Sequence, residues 1–291
     1  SMGDPATDTV AGVLRDAGAR LRKAGTESPD LDARLLLSRT MGKDAPWLIA
    51  NRDTPVTPAT RDQYAALLSR RVGREPMSQI LGEREFWSRS FEVTADVLTP
   101  RPDSETLIET VLAAQPDRNL PLRILDLGTG TGCLFLTMLS ELPSATGLGV
   151  DVSGAALAVA QRNAAALDLT GRTRWIVSDW CADVSGLFDI IVSNPPYIET
   201  AALAHLDRDV SAFEPHLALD GGADGLACYR AILAGVGRVM TARTQLVFEI
   251  GEGQQDAVTQ VAETAGLRLV RVTRDLADRV RVLVFEVAAG C

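Results

Sequence analysis

The sequence predicts an α/β fold: a doubly wound, mostly parallel sheet with an antiparallel last strand, preceded by a small N-terminal helical bundle. Three observations carry that expectation. From Arg123 onward, short apolar runs alternate with helical ones, as in a parallel sheet covered by helices. The first of those runs ends in a glycine-rich turn. The first third of the 291-residue chain instead reads helical throughout, with paired helix-start signals.

Val10, Val13, Leu14, Ala17 and Leu21 recur at helical spacing. Ser28-Pro29 reads as an N-cap with proline at the first helical position, opening a helix with Leu31, Leu35 and Leu36 on one face. Thr57-Pro58 repeats the signal ahead of Tyr64, Leu67, Leu68 and Val72, and Pro76 closes the run. Short connections make this a bundle over residues 1–84, either a structural cap or a partner-docking module. Glu85-Phe86-Trp87 and Ser90-Phe91-Glu92-Val93 flank the polar pair Ser88-Arg89, which predicts a hairpin connector over 85–100. Pro100-Arg101-Pro102 then leads into a helix over 103–114, the start of a domain covering 101–291.

Within that domain the expected strands are 123–127, 145–150, 174–177, 189–193 and 245–250, with helices over 134–142, 153–167, 224–240 and 254–265. The last two apolar runs, 267–272 and 281–287, have no helix between them and should pair antiparallel at one end of the sheet.

Composition narrows the function classes. Hydrophobic residues make up 46% and charged residues 23% of the chain, near the globular average. No apolar stretch approaches the ~18 residues of a membrane span, and nothing at the start reads as a secretory signal. A cytoplasmic protein with no membrane partner is expected. Cys133, Cys181, Cys228 and Cys291 lie far apart without a C-x-x-C pair, so reduced thiols are expected. With His205 and His216 the only histidines, a His-rich metal centre is excluded and no metal is expected. The net charge is −9, and it is uneven: residues 1–84 carry +2 and residues 85–291 carry −11. So acidic a body is poorly suited to gripping phosphate backbones.

Four motifs carry chemistry. The first is Gly128-Thr129-Gly130-Thr131-Gly132-Cys133 after a strand. A dinucleotide-binding turn would read G-x-G-x-x-G, and a P-loop would end in Gly-Lys-Ser/Thr. The G-x-G-x-G spacing fits instead the loop that holds S-adenosylmethionine (SAM) in class I methyltransferases. The second is Asp151 at the end of the next strand, about 20 residues on, placed to accept hydrogen bonds from ribose hydroxyls. It is also suited to capping the helix that starts near Ser153. The third is Ser178-Asp179-Trp180, where Trp180 can pack on adenine and Asp179 accept its amino proton. Tryptophan is also a common core residue.

The fourth is Ser193-Asn194-Pro195-Pro196-Tyr197. A planar NH2 group has two protons to satisfy. The Asn194 side-chain oxygen can accept one and the Pro195 carbonyl the other, while the prolines stiffen the loop. Tyr197 can stack on the planar group. Such an arrangement works by orientation and transition-state preference.

Together Gly128–Gly132, Asp151 and 194–197 resemble SAM-dependent methyltransferases of planar NH2 groups. With 76–93 (PMSQILGEREFWSRSFEV), 99–105 (TPRPDSE), 214–230 (EPHLALDGGADGLACYR) and the helical N-terminus, the chain resembles the HemK/PrmC family, the glutamine-N5 methyltransferases of peptide-chain release factors. Family members usually read Arg-Pro-Glu-Thr-Glu where this chain has Arg101-Pro102-Asp103-Ser104-Glu105.

The resemblance implies a class I methyltransferase domain, with SAM as cofactor and class 1 release factors as protein substrate. It implies that Gly128 to Gly132 hold the methionine part of SAM, Asp151 the ribose and Trp180 the adenine. Asn194, Pro195, Pro196 and Tyr197 would hold the glutamine amide, with Asn194 also close to the cofactor. Arg101 and Glu105 either border the pocket or tie the connector to the catalytic domain, and Phe213-Glu214-Pro215 is assigned to the rim. A DNA amino-methyltransferase is the competing expectation, because the same loop logic serves adenine. It usually needs a sizeable basic recognition region. A non-catalytic scaffold is disfavoured by the intact glycines and the intact 194–197 loop.

Overall fold

A computed structural model describes residues 8–290; Cys291 lies outside them. The chain divides into two compact units, residues 1–82 with 207–213, and residues 83–206 with 214–291.

The first unit holds α1 (Val10–Lys23), α2 (Pro29–Met41), α3 (Ala45–Ala50), α4 (Pro58–Val72) and α5 (Met77–Leu81), together with the short α9 (Arg208–Ser211). Its core is Val10, Ala17, Leu21, Leu36, Leu37, Tyr64, Leu68 and their neighbours. Thr57 caps α4 by accepting from Thr60 N. Ser28 precedes Pro29 as expected but makes no side-chain capping bond. The inward stripe of α2 is Ala33, Leu36 and Leu37, while Leu31 and Leu35 are exposed. Leucines at 31, 35, 36 and 37 fit two adjacent helical stripes, and packing against α1 and α4 selects the second. Pro76 does not end the helical region; it is the N-cap of α5.

Buried Arg71 donates to Asp32 Oδ2 at 2.9 Å and to Asp209 Oδ2 at 2.8 Å, and Arg74 donates to Asp209 Oδ1 at 2.6 Å. These bonds bind residues 207–213 into the first unit.

The second unit opens with the hairpin β1 (Glu83–Phe86) and β2 (Arg89–Glu92). Its two-residue turn is Trp87-Ser88, one position before the expected pair. Phe86 pairs with Arg89, and Trp87 and Ser88 have φ of 50° and 58°. A type I′ turn needs both central residues left-handed, because that twist matches the flanking strands. After a 3-10 turn at Pro102–Ser104 come α6 (Glu105–Ala113), β3 (Arg123–Leu127), α7 (Cys133–Glu141), β4 (Thr146–Asp151), α8 (Gly154–Ala166), β5 (Thr173–Val177) and β6 (Phe188–Ser193). The unit closes with α10 (Ala227–Gly235), β7 (Met240–Glu249), α11 (Gln255–Thr264), β8 (Leu267–Arg274) and β9 (Val280–Val287).

The seven-stranded sheet has the order β5-β4-β3-β6-β7-β9-β8, parallel from β5 to β7, with β9 antiparallel to both its neighbours. The expected helix over 224–240 is shorter, because a 3-10 turn at Val236–Val239 separates α10 from a β7 that starts five residues early. Successive core residues face opposite sides. Leu125, Ile191, Leu246 and Phe248 join Tyr229, Ile232 and Val258 on one face. Ile124, Ile190, Val192 and Val247 join Leu107, Phe135 and Met138 on the other. Helices therefore cover both faces, which is why the strands read as unbroken apolar runs. The chain order reverses between β3 and β6, and in such sheets the ligand crevice lies beyond the carboxyl ends of the strands at that switch.

Candidate active site

β3 delivers its last turn into that crevice. Gly128, Gly130 and Gly132 have φ of 77°, 55° and 80°, a backbone path that side chains resist. A Cβ on Gly128 would also stand 3.2 Å from the Trp180 ring. Val150 O accepts from Gly128 N and Thr129 N at 2.9 and 2.8 Å, anchoring the loop to β4. Thr131 Oγ1 accepts from Cys133 N at 3.2 Å, and Thr131 O accepts from Asn163 Nδ2 at 2.9 Å.

Asp151, at the end of β4, locks this loop from outside. Its Oδ2 accepts from Gly130 N at 2.9 Å and its Oδ1 from Ser153 N at 3.0 Å. The capping role weighed for Asp151 belongs to Ser153, whose Oγ accepts from Ala156 N at 3.1 Å. After β5, Asp179 is exposed and Trp180 is half-buried with φ of 48°. Its turn is pinned by Ser178, which donates to Trp180 O at 2.9 Å and accepts from Asp183 N at 3.0 Å.

β6 lies beside β3, with Asp126 opposite Val192, and its end carries the second loop. Ser193 Oγ donates to Leu127 O at 2.6 Å, tying the two strand ends together. Asn194 follows, half-buried, with Nδ2 at 3.5 Å from Ser104 Oγ. Pro195 is buried, and Pro196 and Tyr197 are half-buried. Tyr197 O accepts from Gln254 Nε2 at 3.1 Å. A Cβ on Gly251 would stand 2.8 Å from the Tyr197 ring, so a glycine there lets the ring settle against the chain beyond β7. A cavity of about 410 Å³ opens beside Tyr197, bordered by Ile198, Glu199, Asp224, Gly251 and Gln254.

Two buried acids complete the crevice, and neither was singled out from the sequence. Asp126 Oδ2 accepts from Thr129 Oγ1 at 2.8 Å, while its Oδ1 has no partner. Burial, reinforced by the Asp151 charge, pushes its carboxyl up to about 7 against the Thr129 hydrogen bond. Glu249, at the end of β7, is buried and likewise raised to about 7, chiefly by burial. An acid closing an apolar run was the available signal at both places.

The connector residues resolve into separate contacts. Glu105 Oε1 accepts from Trp87 N at 2.8 Å, so it holds the hairpin turn. Arg101 pairs with buried Glu214, whose Oε2 also accepts from Thr99 N at 3.2 Å. Asp103 Oδ2 lies 3.7 and 3.6 Å from Arg279 and Arg281. The expected Phe213-Glu214-Pro215 rim is divided: Phe213 belongs to the first unit, where its carbonyl accepts from Gln79 Nε2 at 2.9 Å, and Glu214 is buried in the second. His205 and His216 are exposed.

Residues 12–82 match the PrmC N-terminal domain, and residues 102–214 match the methyltransferase small domain. A release factor glutamine methyltransferase of Rhodospirillum rubrum is 45% identical over 275 residues, covering 94% of this chain and 84% of that protein. One of Cereibacter sphaeroides is 45% identical over 274 residues, covering 94% and 97%. The chain belongs to the release factor glutamine methyltransferase family. The fold agrees with that family membership: a methyltransferase of Pyrococcus furiosus superposes with a TM-score of 0.51 at 14% identity, covering 79% of this chain and 100% of the other. Among the described residues, no helix is long and apolar enough to cross a membrane.

Proposed function

We propose that this methyltransferase acts in the cytoplasm on the side-chain amide N5 of the glutamine in the Gly-Gly-Gln motif of class 1 release factors. The observation that carries this reading is the juxtaposition of two loops at adjacent strand ends. The glycine loop closes β3, the Asn194–Tyr197 loop closes β6, and Ser193 bonds Leu127 between them. One loop suits the methyl donor and the other a planar NH2 group.

The methyl donor is S-adenosylmethionine, and the residues present fit it. The orphaned Asp126 Oδ1 is a buried acceptor with a raised pKa, suited to an ammonium group such as that of the methionine part. The backbone from Gly128 through Thr129, Gly130 and Thr131 to Gly132 leaves room for close approach. Asp151 retains lone pairs for ribose hydroxyls beyond the two backbone bonds it accepts. Trp180 and Asp179 would meet the adenine. When bound, SAM supplies an electrophilic methyl group on a sulfonium.

The chain's own residues prepare the acceptor nitrogen. Asn194 Oδ1 and the Pro195 carbonyl accept its two protons, drawing the nitrogen out of conjugation with its carbonyl. Pro195-Pro196 hold both acceptors in place, and Tyr197 covers the planar face. The cavity beside Tyr197 gives the backbone around the target glutamine somewhere to lie. Recognition extends to residues 1–84, because a tripeptide loop buries too little area for a stable interface of ~1,200–2,000 Å².

Mass spectrometry of a release factor incubated with the protein and SAM tests the reading. One added methyl on the Gly-Gly-Gln glutamine is expected. Under matched conditions duplex DNA should stay unlabelled even at low salt, where phosphate attraction is strongest. Labelling of DNA and none of the release factor would overturn the proposal in favour of an adenine methyltransferase.

A further inference from the structure

Gln254, at the N-cap of α11, spends its whole side-chain amide on backbone groups. Its Oε1 accepts from Gly251 N at 2.8 Å, and its Nε2 donates to Tyr197 O at 3.1 Å and to Gly225 O at 3.4 Å. One amide thus joins three stretches that are far apart in sequence: the loop after β6, the turn at 221–225 and the turn after β7. Its partners also fix which way it points. A backbone N–H only donates and a backbone carbonyl only accepts, so a flipped amide would set donor against donor and oxygen against oxygen.

The same stretches are shaped around Tyr197. A Cβ on Gly225 would stand 2.6 Å from Tyr197 O, one on Gly221 2.8 Å from Tyr197 Cα, and one on Gly251 2.8 Å from the Tyr197 ring. Without side chains there, the backbone can close on the tyrosine from both its main-chain and its ring side. Just beyond, Ile198 N donates to Leu219 O at 3.3 Å and Ile198 O accepts from Gly221 N at 2.7 Å. Between the ring and those bonds, Gln254 holds the Tyr197 carbonyl. A held carbonyl fixes the whole planar peptide that follows Tyr197. With the ring also stopped against Gly251, the side chain has one resting place beside the cavity.

We propose that Gln254 is a positioning residue that sets the Tyr197 ring over the acceptor group, by pinning the Tyr197 carbonyl while it holds the Gly251 turn against the ring. The assignment rests on the reading of Tyr197 as the cover of the glutamine NH2 group. The hydrogen bonds of the Gln254 side chain go to the stretches around Tyr197, whereas the groups proposed to hold SAM follow β3, β4 and β5. Loss of the Gln254 amide should therefore disturb methyl transfer and leave binding of the methyl donor alone.

The test uses the full chain, SAM, a Gly-Gly-Gln peptide and an intact release factor. Gln254→Met keeps the shape of the side chain but makes none of the three bonds. Gln254→Glu can still accept from Gly251 N but sets a carboxylate against the Tyr197 and Gly225 carbonyls. Affinity for S-adenosylhomocysteine should match the wild type in both. The kcat of both should fall about 10- to 100-fold, the scale of a contact displaced by about 1 Å, with a smaller change in KM. On a Tyr197→Ala background, Gln254→Met should cost little more, because residues that act as one unit are not additive. The chain has three tyrosines, so ring-fluorinated tyrosine gives a readout of position by fluorine NMR. The Tyr197 resonance should move in Gln254→Met, while that of Tyr64, in the first unit, stays. An active wild type with an equally active Gln254→Met overturns this assignment alone. So does an equal loss with and without the Tyr197 ring, an unmoved Tyr197 resonance, or a loss that tracks weakened S-adenosylhomocysteine binding. A wild type inactive on both substrates overturns the functional reading, and this assignment with it.

Discussion

Asp209 accepts a hydrogen bond from Arg71 at 2.8 Å across 138 positions of sequence. Arg71 is buried and also donates to Asp32, so one guanidinium serves two carboxylates. The two acids respond oppositely. Burial dominates at Asp32 and raises its pKa despite the Arg71 bond. At Asp209 burial is outweighed by the bonds from Arg71 and Arg74, and the pKa is lowered from 3.8. A lowered folded pKa stabilises above the ordinary value and stops doing so as pH falls through the lowered one. Asp209→Ala should therefore cost about 2–4 kcal/mol near neutrality, because it leaves Arg74 unpaired and Arg71 half-paired. It should also lose part of the acid limb of stability below pH ~4. Urea unfolding of both proteins across that range checks both effects.

Asp126 predicts how cofactor affinity depends on pH. Its folded carboxyl sits at about 7. A bound ammonium favours the ionised form, so SAM affinity should rise with pH through that value, and binding should release protons below it. The stability sign is the reverse. A raised folded pKa contributes stability that is present at low pH and is lost as pH rises through the folded value. Asp126→Asn should bind SAM more weakly, lose the pH dependence, and melt higher than the wild type above pH ~7 in the absence of ligand. Calorimetry in buffers of differing ionisation enthalpy, with thermal melts beside it, would show an unchanged dependence if this assignment is wrong.

Asp151→Ala removes a carboxylate that accepts from Gly130 and Ser153, besides the proposed ribose contacts. A loss on the order of 2–4 kcal/mol in SAM affinity is expected, the scale of hydrogen bonds to a charged group. Equal affinity in isothermal titration would remove Asp151 from the site.

Asn194→Ala should lower methyl transfer by at least about a hundredfold, the scale of one oriented transition-state contact. SAM affinity should change much less, because the glycine loop, Asp126 and Asp151 remain. Single-turnover kinetics beside equilibrium binding separates the two effects.

A chain beginning at Glu83 should still bind SAM but methylate intact release factor far less well than a Gly-Gly-Gln peptide, relative to the full chain. SAM binding serves as the fold control, because such a chain carries residues 207–213 without Arg71 and Arg74, the partners of Asp209. An unchanged preference between the two substrates would dismiss residues 1–84 as the recognition surface.

Much of the proposed site was legible because its chemistry is local. The glycines after β3, Asp151 after β4 and the Asn194–Tyr197 loop after β6 each follow a strand directly, so finding the strand finds the loop. What remained hidden depends on pairings that no short window contains. Ser104 meets Asn194 only because the turn before α6 packs beside the end of β6. Glu105 was ambiguous for the same reason, since its partner Trp87 N lies on the far side of the proline-rich linker. The α2 face was misassigned because four nearby leucines suit two stripes, and only the neighbouring helices choose between them.

The membership of residues 207–213 in the first unit bears on how the molecule is made. Synthesis runs from the amino terminus, and domains generally fold as units while the chain emerges. Here α1 to α5 leave the ribosome with Arg71 and Arg74 still lacking Asp209. The missing piece arrives only after β3 to β6 have been translated. The first unit to begin is therefore among the last to be finished. Its ion-paired centre is completed by a stretch that cannot reach it until most of the parallel sheet has been synthesised.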